Sequence, residues 1–293
     1  MQSFRAEVES TFRGLRDRIV AGLQELEALE GPAQFERTAW SRPGLEGGGE
    51  MSVLRGQLFE KGGCNFSAVA GPRYPAVVGP HEKPLEAGDA ALGISPPSGA
   101  EIAGKPFFAT GVSLVLHPRN PYVPVVHLNV RYLEVGGTAW FGGGADLTPC
   151  KPIASDTSHF HSVLQQSCNK QEGPTAALLY PRFSSWARDY FFIPHRGSER
   201  GVGGIFFDYL RGDRVRDFSL VRDVCDAFLP AYAPIVRERR GTAYTEAERA
   251  EQLRWRGRYV EFNLVYDRGT LFGLKSGGNV DAIFMSLPPL VSW

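Results

Sequence analysis

The sequence predicts a single α+β domain that spans residues 1–293 and contains an extensive antiparallel sheet. Three observations predict this class. The chain begins with one strongly amphipathic helical pattern, two neighbouring runs alternate with period two, and helical and strand patterns then alternate without a linker or repeat. With 43% hydrophobic and 22% charged residues, the composition is that of a globular protein, which excludes a disordered or fibrous chain.

The clearest single element is a helix predicted over residues 4–29. Its apolar side chains recur at steps of three and four, which is one face of a helix with 3.6 residues per turn: Phe4, Val8, Phe12, Leu15, Ile19, Leu23 and Leu26. Gly31-Pro32 then ends the pattern. Further helices are predicted at residues 156–169, 175–190, 217–240 and 245–255, the last opening with a capping-box spacing from Thr245 to Glu248.

The remaining apolar runs are short and predict strands. They cover residues 52–59, 65–70, 107–117, a run that begins near Val125, and residues 204–209, 258–266, 270–274 and 281–286. The glycine-rich residues 44–49 are predicted to form a loop, and so are residues 71–106, which are rich in proline and glycine.

Two of these runs carry polar side chains on one face. Alternation places Ser113 and His117 on one face of the first run, and His127, Asn129 and Arg131 on one face of the second. A turn containing two prolines joins the runs, which predicts an antiparallel pair. A strand face exposed to water shows the same pattern, but imidazoles on two adjacent strands favour a functional site.

Composition excludes or disfavours several classes of protein. The formal net charge is zero, so a nucleic-acid-binding protein that acts through bulk charge is not expected. Apolar runs are much shorter than the ~20 residues that cross a bilayer, and the N-terminus has no secretory pattern, so we expect a cytoplasmic protein without a transmembrane segment. The cysteines are widely spaced, which disfavours a zinc ribbon or disulfide framework and indicates reduced thiols: Cys64, Cys150, Cys168 and Cys225.

Familiar catalytic motifs are missing from the glycine clusters. Neither Gly142–Gly144 nor Gly201–Gly204 matches a dinucleotide fingerprint or a P-loop, although such glycines let a backbone approach a ligand closely. Asp146 follows the first cluster on what we predict to be a glycine-rich turn, where its carboxylate either accepts hydrogen bonds from a ligand or makes a local Asx turn or helix cap. A metal site requires distant histidines to converge, and their spacing alone does not establish one.

Four long strings are more specific: Gly111 to Arg131, Trp140 to Pro149, Arg200 to Asp208 and Gly257 to Leu274. Together, and in this order, they resemble the oxygen-dependent coproporphyrinogen III oxidase family. The likeness extends from about residue 40 to the end of the chain. This resemblance implies a large flat antiparallel sheet flanked by helices on both faces, and a homodimer.

The resemblance also implies a reaction. Two propionates of coproporphyrinogen III would be oxidatively decarboxylated to vinyl groups with O2 as oxidant, giving protoporphyrinogen IX. No cofactor would be obligatory, although a divalent metal such as manganese is assigned to some members. Our hypothesis is that an electron-rich pyrrole reacts directly with O2, a peroxide removes a β-hydrogen, and CO2 and hydrogen peroxide leave.

Residue roles follow from matched positions. His127 matches a proton donor, Arg131 a propionate-binding arginine, and Asp146 an aspartate beneath the pyrrole N–H groups. Matched substrate-binding positions are Ser113, Asn129, Val130, Arg131, Gly277, Gly278 and Asn279. Histidines matched to a metal in some members are His117, His127, His161 and His195.

Two departures from the family pattern stand out. Asn279 occupies a position where arginine is usual, and Tyr209 one where a second aspartate is common. From the residues alone two other functions stay open. They are a metal-dependent oxygenase or hydrolase that uses the four histidines, and a tetrapyrrole carrier without catalytic activity.

Overall fold

A seven-stranded antiparallel sheet forms the centre of the computed structural model, which describes residues 3–75 and 85–293. The strands lie in the order β1-β2-β3-β4-β5-β6-β9, so neighbours in the chain are neighbours in the sheet until the last strand joins. The strands are β1 Glu36–Ser41, β2 Gly47–Leu54, β3 Phe59–Gly71, β4 Phe107–Pro118, β5 Val125–Val135, β6 Thr138–Thr148 and β9 Gly204–Leu210. Two-residue strands β7 Phe192–Ile193 and β8 Ser198–Glu199 form a separate ribbon.

The helices flank this sheet on both faces. They are α1 Phe4–Glu27, α2 Gly99–Ile102, α3 Ala154–Asn169, α4 Ala176–Tyr190, α5 Arg214–Arg239, α6 Glu246–Val265, α7 Arg268–Lys275 and α8 Val280–Ile283. Short 3-10 turns cover Asp89–Leu92, Pro194–Arg196 and Phe284–Ser286. No helix in the described ranges is long and apolar enough to span a membrane.

One face of the sheet carries the main apolar core. Helices α1, α3, α4 and α5 pack there against side chains such as Leu114, Leu128 and Phe207, all fully buried. Burial of this apolar surface stabilises the fold by roughly 25 cal/mol for each Å² removed from water.

The opposite face is covered by α6 to α8, and polar contacts hold the last turn in place. Asn65 Nδ2 and Lys61 Nζ lie 2.8 and 2.7 Å from backbone carbonyl oxygens of residues 282–287. His117 Nε2 lies 2.8 Å from the Ser286 carbonyl oxygen, to which it donates. Because these contacts anchor the C-terminal segment at one side, a cleft remains between that segment and the centre of the sheet.

The α+β class, the antiparallel sheet and the flanking helices are confirmed, and the N-terminal helix ends at Glu27. The strands predicted at 258–266, 270–274 and 281–286 are wrong, since these residues form α6, α7 and α8 with a 3-10 turn. In the first of these segments the apolar alternation misled, because burial follows the helical spacing of Tyr259 and Phe262 while Leu264 is exposed.

The two predicted loops are only partly correct. Strand β2 already begins at Gly47, inside the predicted loop 44–49, because Gly47–Gly49 pair with the neighbouring strands. Of residues 71–106, positions 76–84 lie outside the described residues, and the rest includes a 3-10 turn and α2.

Candidate active site

The cleft floor is the face of β4, β5 and β6 that points away from the main core. The pairing register brings together the polar faces predicted for the first two strands, as Ser113 lies opposite Asn129. On the same face of β6, two glycines and the predicted aspartate lie opposite the β5 side chains. Arg131 lies opposite Gly142, Asn129 opposite Gly144 and His127 opposite Asp146. Positions 142 and 144 of β6 therefore add no side chain to the floor.

Gly142 is required by the two charged groups beside it. A Cβ at this position would lie 2.5 Å from Asp208 Oδ1 and 2.8 Å from Arg131 Nε, far closer than atoms in contact. The glycine-rich turn predicted around Asp146 is instead a regular strand, and its glycines make room for an ion pair on the cleft floor.

His127 and Asp146 form a hydrogen-bonded pair that Arg200 completes from below. His127 Nδ1 lies 2.9 Å from Asp146 Oδ1, and Arg200 Nη2 lies 2.7 and 2.9 Å from the two carboxylate oxygens. Arg200 and Asp146 are both buried, and the guanidinium also packs over the rings of Phe191 and Tyr259. The carboxylate thus holds the imidazole in one orientation.

The neighbouring charges decide the protonation of the Asp146 carboxyl group. Burial raises the pKa of Asp146, but the Arg200 charge and the His127 hydrogen bond outweigh burial, so the pKa lies below its usual value. An ionised Asp146 accepts the N–H of His127 Nδ1. It leaves His127 Nε2 without a hydrogen-bond partner within the described part of the chain, on a side chain that lines the cleft.

Asp146 does not contact the cleft directly. It is 1% exposed, and His127, Arg200 and Thr148 surround its oxygens. The expectation that this carboxylate lies beneath a ligand's pyrrole N–H groups stays a prediction. The contacts show that Asp146 holds the orientation of the His127 imidazole.

A second buried carboxylate, Asp208, serves two arginines. Arg131 Nη2 lies 2.8 Å from Asp208 Oδ2, and Arg268 Nη1 lies 3.7 Å from the same oxygen. Burial lowers the pKa of Arg131, but the charge of Asp208 outweighs it and the pKa is raised. Both guanidinium groups therefore remain charged in the cleft, where they can bind an anionic ligand.

Most other predicted substrate-binding residues line the cleft. Ser113, Asn129, Gly278 and Asn279 do so, and Gly277 adjoins them with a positive φ of 70°. The Val130 side chain points to the opposite face and is fully buried in the main core, because alternate residues of a strand face opposite sides.

The amide of Asn279 has a structural partner. Its Oδ1 accepts the N–H of Ala282 at 2.9 Å and caps α8. At the position where the family usually has arginine, this chain therefore has a helix N-cap. The cleft's cations come from other residues.

The four histidines matched to a metal lie in separate hydrogen-bonding environments. His161 contacts Tyr180 and Val202 through its two ring nitrogens, and His195 contacts Tyr266 and Glu261. Within residues 3–75 and 85–293 no group of three His, Cys, Asp or Glu side chains is arranged to hold a metal ion. The arrangement therefore does not fit a metal bound jointly by these histidines.

Sequence reasoning missed three charged residues of the cleft: Arg200, Asp267 and Arg268. Arg200 and Arg268 stand inside the strings that carried the family resemblance. Asp267 opens α7 as its N-cap, with Oδ2 2.7 Å from the Thr270 N–H, and an Asp-x-x-Thr pattern was the signal for that helix.

A hydrogen-bonded Asp–His pair beside two arginines in one cleft has the composition of an enzyme active site. A family model described as coproporphyrinogen III oxidase matches residues 7–293, and the chain belongs to this family.

Curated proteins with the family's name are similar to this chain over nearly its whole length. The chain is 45% identical over 316 residues to the oxygen-dependent coproporphyrinogen-III oxidase of Synechococcus sp. (strain CC9902), covering 99% of this chain and 80% of the relative. It is also 45% identical over 307 residues to the enzyme of that name from Prochlorococcus marinus (strain MIT 9313), covering 96% and 81%. The predicted family is confirmed.

Proposed function

We propose that this chain is an oxidoreductase that converts coproporphyrinogen III to protoporphyrinogen IX with O2, in haem and porphyrin biosynthesis. The single observation that carries the proposal is the cleft floor of β4 to β6. There the His127 imidazole, held by Asp146, and the Arg131 guanidinium lie on the floor, and Arg268 of α7 faces the same space, in a chain of this family.

The arginines suit the four carboxylates of the substrate. Arg131 and Arg268 share the single carboxylate of Asp208, so their combined charge exceeds that of their partner. A propionate that reaches this pair gains charge-assisted hydrogen bonds without displacing a strong bidentate partner of Arg268.

His127 is suited to move a proton at Nε2. Asp146 accepts from Nδ1 and stabilises the positive charge that appears when Nε2 takes up a proton. Arg200 keeps Asp146 ionised through that exchange, since its guanidinium remains within 2.7 Å. His127 therefore acts as proton donor and acceptor next to the reacting propionate, and Asp146 and Arg200 act through it.

The proposed reaction transfers electrons and protons from each propionate to O2. Each propionate loses CO2 from its carboxylate carbon and one β-hydrogen together with two electrons, and a vinyl C=C bond forms. One O2 accepts these two electrons and, with the β-hydrogen and one further proton, becomes H2O2. His127 supplies that further proton at Nε2 and regains one from the solvent.

We further propose that no cofactor is obligatory. The sequence contains no nicotinamide, flavin or haem motif, and O2 can accept the two electrons that each propionate loses. If manganese or another divalent metal contributes, the separate partners of His161 and His195 would have to rearrange.

We also propose that the chain works in the cytoplasm as a homodimer, as its resemblance to the family implies. Exposed apolar side chains near the C-terminus support an interface between subunits: Leu264, Val265, Leu274, Val280, Leu290 and Trp293. Light scattering of the purified chain should give twice the monomer mass. A monomer at micromolar concentration contradicts this part of the proposal.

An oxygen electrode with purified protein and coproporphyrinogen III tests the main proposal. We expect O2 uptake, protoporphyrinogen IX by chromatography, and one H2O2 and one CO2 for each propionate lost, in metal-stripped protein with chelator present. Binding of the substrate without O2 uptake would indicate a carrier. Activity that requires added metal would contradict the proposed independence from cofactors.

A further inference from the structure

Tyr209 has an unusual backbone at the edge of the cleft. Its φ is +56°, and it is the only non-glycine residue with positive φ in the described ranges. A tyrosine in the left-handed region is strained, and such strain is typically retained at functional sites.

The strain accompanies a β-bulge in β9. Phe141 pairs with Leu210, whereas Gly143 pairs with Phe207, so Asp208 and Tyr209 together lie opposite a single residue of β6. In a regular strand two successive side chains point to opposite faces. Here the bulge lets both the Asp208 and the Tyr209 side chain line the cleft.

The redirected phenol contacts Arg268. Arg268 Nη2 lies 2.5 Å from the Tyr209 hydroxyl oxygen, to which it donates, and its guanidinium carbon lies 5.6 Å from the centre of the ring. The backbone N–H of Tyr209 donates to Asp208 Oδ1 at 2.9 Å. The ring itself packs at 6.0 Å from Trp140.

Tyr209 thereby contacts both Arg268, through its phenol, and Asp208, through its backbone N–H. Asp208 binds Arg131 closely at 2.8 Å but reaches Arg268 only at 3.7 Å, so the phenol supplies the shorter contact to Arg268. Without this contact the long, flexible Arg268 side chain would have several rotamers available and would lose its fixed place beside Arg131.

We propose that Tyr209 is a positioning residue that holds Arg268 beside Arg131, so that the two guanidinium groups bind one carboxylate of the substrate. The proposal deepens the proposed function and rests on it for the identity of the substrate. We expect the phenol to act on substrate affinity and not on the chemical step, since it contacts Arg268, which faces the substrate's carboxylates in the proposed function.

Steady-state kinetics of Tyr209→Phe test this role. We expect KM for coproporphyrinogen III to rise about 10-fold with kcat changed less than about twofold. The variant loses the hydrogen bond between Arg268 and the phenol, which affects binding of the substrate equally in the ground state and the transition state. Tyr122→Phe is a matched control: its phenol donates to the Glu248 carboxylate at 2.6 Å outside the cleft, and its KM should stay unchanged. An unchanged KM in Tyr209→Phe, or a lower kcat at the same KM, overturns the proposal.

A second pair of variants separates the phenol from the strained backbone. Tyr209→Ala and Tyr209→Gly both lose the ring, and both should raise KM by the same factor. Only glycine accommodates the positive φ without strain, so the glycine variant should melt at a higher temperature than the alanine variant. Unequal KM values would show that the backbone shape, and not the phenol, determines affinity.

Binding of the oxidised ligand coproporphyrin III, followed by tryptophan fluorescence, keeps the inference apart from the proposed function. If wild-type protein forms no protoporphyrinogen, the proposed function fails. A weaker Kd in Tyr209→Phe than in wild type then still supports the positioning role. Equal Kd values in the two proteins contradict it.

Discussion

The two faces of strands β4 and β5 have opposite tasks, although they are made of alternating residues of the same segments. Leu114 and Leu128 on one face are fully buried against the helices of the main core. His127, Asn129 and Arg131 on the other face are half-buried and face the cleft. One segment of about ten residues therefore both stabilises the fold and builds the site.

Residues that determine stability and residues that determine activity therefore lie side by side on these strands. Changes on the core face should lower the free energy of unfolding and leave the chemical step intact. Changes on the cleft face should lower activity and leave the free energy of unfolding nearly unchanged. The buried group Asp146 is the informative exception, because it lies on the cleft side and pairs with a buried charge.

The largest effect should come from His127→Asn on the cleft face. Loss of a proton donor typically lowers kcat by about 10²- to 10⁴-fold. The free energy of unfolding should change by only about 1 kcal/mol, since one hydrogen bond to Asp146 is altered. Oxygen uptake and urea unfolding measure the two effects, and a variant with more than a tenth of wild-type kcat would remove His127 from the proton transfer.

Asp146→Asn should break the separation between the faces, because it leaves the Arg200 guanidinium buried without its carboxylate. We expect a loss of about 3–5 kcal/mol in the free energy of unfolding, together with lower kcat. Adding Arg200→Met to this variant removes the unpaired charge and should restore part of the stability but not the activity. Full stability in the single variant would contradict the burial of this pair.

Leu128→Ala tests the core face between two cleft residues. Truncation of a fully buried leucine should cost about 2–5 kcal/mol of unfolding free energy, measured by urea unfolding, while kcat at low temperature is retained. Ser113→Ala, opposite Asn129 on the cleft face, is the control and should change stability by less than about 0.5 kcal/mol. A large loss of kcat in Leu128→Ala would show that the faces are coupled.

Asn279→Ala sharpens the comparison at the rim of the cleft. Removal of the α8 cap should cost about 0.5–2 kcal/mol of stability, and Asn279→Ser, which keeps a capping oxygen, should cost less. Urea unfolding of the two variants measures the difference. If KM instead rises equally in both, the amide contacts the substrate directly, as the family resemblance implies.

The smallest effect concerns Lys61, a cation on the cleft side of β3. Burial and then the Arg55 charge lower its pKa to about 8, below the ordinary lysine value near 10.4. Between these values the unfolded chain holds the proton that the folded chain has lost, so this residue adds stability as pH rises from 8 towards 10.

The comparison with Lys61→Met separates the contribution of Lys61 titration to stability from that of other titrating groups. The stability of wild type relative to the variant should grow with pH by less than about 1.4 kcal/mol per pH unit, because the side chain is partly exposed to solvent. Urea unfolding of both proteins at pH 7, 8, 9 and 10 provides the measurement. A difference that shrinks with rising pH would contradict the lowered pKa.

The alternation of β4 and β5 and the period of α1 could be predicted because each depends on neighbours within the same element. The segments at 258–286 could not. Several of their apolar residues are exposed, so alternation and helical spacing compete, and the caps at Asp267 and Asn279 decide between them. Short helices of this kind are stabilised by their contacts with the sheet more than by their own sequence.

By itself the sequence determined the family, the sheet with its two-faced strands, and His127 and Arg131 as neighbours on one face, because these depend on local order along the chain. Only the tertiary structure decided that Asp146 orients His127 from below, that Arg200 keeps Asp146 ionised and that Arg268 joins Arg131 at Asp208. These roles depend on burial and on charges brought together from distant segments, and burial depends on what packs above each residue.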